Sequence, residues 1–152
     1  LTSAMIGVPC NLADETWKNK LFSHGYDKEQ KAFGSLLGIS YYLKKVDFEQ
    51  LVMSISEIMS EGSAICFDYP SVDESAEIRK TQMLASEAGE QMKAVYSYKE
   101  IGMILDKHGF KIEEHLDEND MTYRYFREYN QANPMHQMNA PVGLGYVYAV
   151  KR

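Results

Sequence analysis

The stretch from Ala32 to Leu43, AFGSLLGISYYL, constrains the fold more than any other. It starts as an apolar run suited to a buried central strand, breaks at Gly38, and ends in Tyr41, Tyr42 and Leu43. An amphipathic helix follows over 47–60. Asp47 is its expected N-cap, and Phe48, Leu51, Val52, Ile55, Ile58 and Met59 recur at three- and four-residue steps. A strand that runs through a short loop into a helix is half of a βαβ unit. Ligands of open α/β sheets lie at the carboxyl ends of the strands, where such a loop sits. Gly38 to Tyr42 is therefore expected to border a site.

The neighbouring segments fit the same class. Residues 4–8 read as a short buried strand ending at Pro9. Asn11 or Asp14 is placed to cap a helix over 13–22 that carries Trp17 and Leu21 on one face and stops at Gly25. Residues 63–69 form a second buried strand, and Asp68 at its carboxyl end is a site candidate by position. A charged helical segment is expected over 72–90. Ser97 with Glu100 reads as a capping box for a helix through His108, and residues 110–116 alternate as a strand at the sheet margin. Asp120 is the expected cap of an aromatic helix holding Tyr125 and Phe126. A loop with Pro134 and Pro141 then leads to a last strand over 143–150. This order predicts an α/β fold with helices on both faces of a mainly parallel sheet and an antiparallel C-terminal edge hairpin.

Composition narrows the partners. The 152 residues are 45% hydrophobic and 25% charged, with a net charge of -6. An acidic chain without a basic run is not expected to bind nucleic acid or an anionic membrane, and no apolar stretch reaches the length of a membrane span. Cys10 and Cys66 sit in apolar runs and read as small buried hydrophobes of a cytoplasmic chain. His24 and His108 precede glycines at helix ends, a structural position. His136, in a loop, is free to face an acceptor. No cluster has metal-ligand spacing, so no metal is expected.

Several phrases together resemble a family. They are Val8-Pro9-Cys10-Asn11-Leu12, the Trp17 helix, Gly25-Tyr26-Asp27, Leu37-Gly38-Ile39-Ser40-Tyr41-Tyr42-Leu43, and Gly62-Ser63 before a strand ending Phe67-Asp68-Tyr69. Towards the far end, Gly109-Phe110, Tyr125-Phe126, Asn130 and Tyr146 to Lys151 continue the likeness. The chain resembles the leucine carboxyl methyltransferase-like family of class I S-adenosylmethionine-dependent O-methyltransferases, over the C-terminal portion of one methyltransferase domain. Asn11 stands where the family has Asp, and Leu37 where it has Glu.

The resemblance implies methyl transfer to a carboxylate or hydroxyl of a small molecule or peptide. It implies S-adenosylmethionine as cofactor, with Asn11, Leu12, Leu37, Gly38 and Tyr42 around it; Tyr41, Asp68, Tyr125 and His136 are expected towards the acceptor from their positions in the chain. It assigns no catalytic residue, because in-line displacement needs orientation more than a strong base. The family's first two strands, which hold the methionine and ribose moieties, have no counterpart here, so cofactor binding by this chain is expected to be weak or absent. Their loss also predicts an open apolar edge on the strand after Lys31. Either residues 5–8 move across to pair there, or two chains join as a homodimer. The alternative reading is a catalytically silent remnant that acts by association.

Overall fold

The computed structural model describes residues 5–12, 14–72 and 94–152. Their order is α1 (Thr16–Ser23), β1 (Phe33–Leu36), a 3-10 turn (Ser40–Tyr42), α2 (Lys45–Ile58), β2 (Ala64–Pro70), α3 (Tyr98–Lys107), β3 (Phe110–Leu116), α4 (Glu118–Ala132) and β4 (Leu144–Lys151). The four strands form one open sheet in the order β1-β2-β4-β3. β1 and β2 pair parallel, and β4 runs antiparallel to both β2 and β3. Three strands thus share one direction and only β4 reverses, the α/β arrangement with a C-terminal hairpin that the element order predicts.

The core lies on one face of this sheet. α2 buries Phe48, Leu51, Val52, Ile55 and Ile58 against it, each worth about 1.5–3 kcal/mol relative to exposure. The Phe48 ring meets Phe67 edge-on at 5.4 Å and Tyr96 at 5.5 Å. Trp17 and Leu21 bring α1 onto the same cluster, as their four-residue spacing requires. α3 adds Ile101 and Leu105. Its capping box is complete: the Ser97 hydroxyl accepts from the Glu100 N–H, and the Glu100 carboxylate accepts from the Ser97 N–H.

A bulge between Ile112 and Glu114 decides which side chains reach the other face. Ile112 pairs with Ala149 on the core side; the extra residue then turns Glu114 and Leu116 outward and His115 inward. His115 Nε2 meets the hydroxyl of the buried Tyr69 at 2.9 Å. The opposite face carries Cys66, Tyr146 and Tyr148, with Met121 and Tyr125 of α4 beside them.

Several expectations are corrected. Residues 5–8 are not a strand: they join no ladder among the described residues and Met5 is 98% exposed, because a lone extended segment leaves its backbone bonds to water. They do not cross to β1, whose partner among the described residues is β2. β1 is an edge strand rather than a central one, and with no described strand on its outer side Phe33 is 63% exposed. Asp47 lies in the first turn of α2, whose N-cap is Lys44. Asp117, not Asp120, caps α4; Asp120 returns the bond to the Asp117 N–H. Cys10 is exposed and Cys66 half-buried, since the apolar run around Cys10 joins no described strand and Cys66 faces the open side of β2. The charged helix expected over 72–90 lies, apart from Val72, outside the described residues.

Candidate functional site

β1 ends at Leu36 because Gly38 turns the chain through a positive φ of 70°, a conformation that disfavours any side chain. The chain then closes a single 3-10 turn before α2. Asp68, at the end of the neighbouring strand, holds this turn at three points. Its Oδ1 accepts the Gly38 N–H at 2.7 Å, its Oδ2 accepts the Tyr41 hydroxyl at 2.9 Å, and its carbonyl accepts the hydroxyl of the fully buried Ser40 at 2.7 Å. The parallel register Leu36↔Phe67 places Asp68 beside the start of the turn.

This geometry governs the electrostatics. Burial, then the Asp68 charge and its hydrogen bond, push the Tyr41 phenol well above its ordinary value, so it stays a donor. Burial followed by Asp68 and Glu118 raises the Tyr146 phenol. Burial and Asp68 likewise raise the Cys66 thiol, which is unsuited to act as a thiolate nucleophile.

The structure sorts the residues singled out from sequence into distinct places. Gly38, Tyr41 and Asp68 form one bonded cluster, and Tyr42 beside them presents a ring 54% exposed. Leu37, 58% exposed, and Tyr125, 60% exposed, line a shallow groove of 250 Å³ on the open sheet face, over Cys66 and Tyr146. Tyr125 is thus not a core residue. Leu12 lies on the core side of the β1 edge, in an apolar cavity of 210 Å³ with Trp17 and Leu36. Asn11 precedes it on an exposed turn, its carbonyl accepting from the Asp14 N–H. His136 is exposed and its N–H bonds the Asn133 carbonyl; it joins none of these groups.

Two contributors carry no signal in the sequence. Tyr146 reads only as an alternating strand residue, yet β4 inserts between β2 and β3 and sets it opposite Asp68. Ser40 reads as a loop serine and proves to be the buried pin of the turn.

Among the described residues no group of three or more His, Cys, Asp or Glu side chains is arranged to hold a metal ion. No helix among them is long and apolar enough to cross a membrane.

Comparison with known proteins agrees with this layout. Residues 1–56 match the leucine carboxyl methyltransferase family. The chain is 30% identical over 153 aligned positions to YktD of Bacillus subtilis (strain 168), provisionally named an S-adenosyl-L-methionine-dependent methyltransferase. The match covers 95% of this chain and 48% of that relative, so the chain spans about half its length. Among solved structures, a DUF574 family protein from Streptomyces avermitilis superposes with a TM-score of 0.69 at 11% identity, over 94% of this chain and 53% of that one. An O-methyltransferase family protein from Burkholderia thailandensis superposes with a TM-score of 0.56 at 9% identity, over 93% and 34% of the two chains. At such identities the structural likeness speaks for the fold; the sequence matches speak for descent. Motif, order and sheet agree: residues 1–56 match the leucine carboxyl methyltransferase family, and the chain carries a class I methyltransferase-like sheet.

Proposed function

We propose that this chain is the C-terminal portion of an S-adenosylmethionine-dependent O-methyltransferase domain, with the donor against Gly38 to Tyr42. The observation that carries the reading is the turn pinned by Asp68 at the carboxyl ends of β1 and β2, the place where open α/β sheets bind ligands. The residues present fit part of such a donor. A side chain at Gly38 would meet nothing within 4 Å, so its backbone lies open to a ligand. The exposed Tyr42 ring offers an apolar face with a polar tip, and the Asn11 side chain has a donor and an acceptor suited to a purine edge.

S-adenosylmethionine supplies a sulfonium-bound methyl group, whose transfer forms an O–CH3 bond while the S–CH3 electron pair stays on sulfur. The protein's part is orientation. Asp68 fixes the turn, Tyr41 holds its proton, and the backbone at Gly38 sets how closely a ligand approaches. Asp68, engaged with Gly38 and Tyr41, supports the acceptor side by positioning rather than as a free base. A small-molecule or peptide carboxylate, or a hydroxyl, is the acceptor class this reading requires.

The test is an amide NMR titration of the 152-residue chain with S-adenosylhomocysteine at millimolar concentration. Shifts at Gly38, Tyr42 and Leu12 that weaken in Tyr42→Ala are expected; shifts elsewhere, or none, would sink the reading.

A second reading has its own observation. The outer side of β1 is unpaired among the described residues, and Phe33 and Leu37 are exposed beside it. Such an edge favours self-association, either as the chain's whole role or as a homodimer of the enzyme. Sedimentation that shows a monomer at every concentration, unchanged by Phe33→Lys, would exclude it.

A further inference from the structure

A cavity of 640 Å³ lies away from the Asp68 turn, between α4 and the loop that returns to β4. One side of α4 holds that loop by its backbone. Glu118 Oε2 accepts the Gly143 N–H at 2.5 Å, and Thr122 Oγ1 accepts the Ala140 N–H at 2.9 Å. Asn130 pairs with both backbone groups of Met138, accepting its N–H at 2.7 Å and donating to its carbonyl at 2.8 Å. These bonds recur at four- and eight-residue steps along the helix, so the wall is built before any ligand arrives. α4 follows β3 directly, so the Glu118 end of the lining lies next in the chain after the carboxyl end of that strand. Glu118 in the cavity wall and Asp68 both act on the Tyr146 phenol.

The chemistry of the lining is specific. Asn119, Gln131, Gln137 and Asn139 place four carboxamides on the cavity, none bonded to another described residue. Arg127 is the one cation among the described lining residues, and the one carboxylate, Glu118, is occupied by Gly143. Tyr123 holds the guanidinium: Nη1 donates to the phenol oxygen at 2.8 Å, and the group lies 5.0 Å from the ring centroid. A guanidinium has five N–H donors, so a bidentate pair remains for a ligand. In a chain of net charge -6, an unopposed cation in an amide-lined cavity selects an anion.

We propose that this cavity is a binding subsite for a hydroxy acid, with its carboxylate anchored by Arg127 and its body hydrogen-bonded by the surrounding carboxamides. A carboxylate gripped by a guanidinium loses basicity and with it nucleophilicity. The anchored group is thus the handle, and the methylated oxygen is the hydroxyl. The identity of that oxygen rests on the methyltransferase reading; the binding of the carboxylate does not.

The experiment is an amide NMR titration of the 152-residue chain at low salt, without methyl donor, using 4-hydroxyphenylacetate and its neutral carboxamide. The carboxylate is expected to shift Arg127, Gln131 and Asn139, and to bind about tenfold tighter than the amide, the order of one charge-assisted bidentate contact. Arg127→Met should remove that difference with the melting temperature unchanged, because the side chain is exposed. Equal binding of the two compounds, an unchanged preference in Arg127→Met, or shifts confined to other regions would overturn the subsite. Carboxylate binding retained while S-adenosylhomocysteine leaves Gly38 to Tyr42 unmoved would sink the methyltransferase reading alone.

Discussion

The Tyr41 phenol donates to Oδ2 of Asp68 at 2.9 Å, while Oδ1 of the same carboxylate accepts the Gly38 N–H at 2.7 Å. One side chain on β2 thereby sets both the entry and the body of the turn after β1. The turn's shape is a property of the sheet, not of the loop.

Removing that carboxylate should loosen the turn. Asp68→Ala is expected to cost about 1–3 kcal/mol, the range for hydrogen bonds to a charged acceptor, with Asp68→Asn milder because its amide oxygen still accepts. Urea unfolding measures both. Equal stability of wild type and Asp68→Ala would show that the clamp carries no energy.

Tyr41 ties stability to alkaline pH. Its folded pKa lies above the ordinary 10.0, so the folded state binds the proton more tightly. The contribution is fully present below pH 10 and is lost as pH rises past it. Tyr41→Phe should therefore flatten the alkaline limb of the stability curve, read by urea midpoints across pH 8–11.

Glu100 acts at the other end. The Lys45 ammonium, then the Ser97 N–H, hold its carboxyl below its ordinary value. Its contribution is present above about pH 4.5 and is lost as pH falls through the lowered folded value. Glu100→Gln should show a shallower loss of stability between neutral and acid pH than wild type. An identical acid profile would rule out the coupling.

Gly145 is fixed by the Tyr69 ring. A Cβ there would overlap the Tyr69 ring carbons as well as its hydroxyl oxygen, and the side chain is fully buried and bonded to His115. Overpacking of this kind costs about 1–3 kcal/mol. Thermal unfolding of Gly145→Ala should show the fall; an unchanged midpoint would show that the Tyr69 ring yields without cost.

How far the sequence was legible depends on how local each signal is. α2 followed from six apolar residues at helical steps, and α3 from Ser97 and Glu100, whose reciprocal bonds span three residues. The cap of α4 was misplaced because Asp117 and Asp120 are chemically equal ends of one capping box. Residues 5–8 misled because an apolar run makes a strand only when a neighbour accepts its backbone bonds. At the candidate site, Gly38 and Asp68 stood out by position, whereas Ser40 and Tyr146 did not, since their partners lie on another strand.

The sequence by itself determined most helices and strands of the described chain, the turn at Gly38, and the likeness of residues 1–56 to the leucine carboxyl methyltransferase family. Tertiary structure alone decided that β4 enters between β2 and β3, that a bulge turns His115 inward, and that α4 builds a cavity with its return loop. The reason is reach. Periodicity and capping act within a few residues of chain, whereas Asp68 meets Tyr41 across 27 positions and Tyr69 meets His115 across 46. Only the paired sheet brings those residues together.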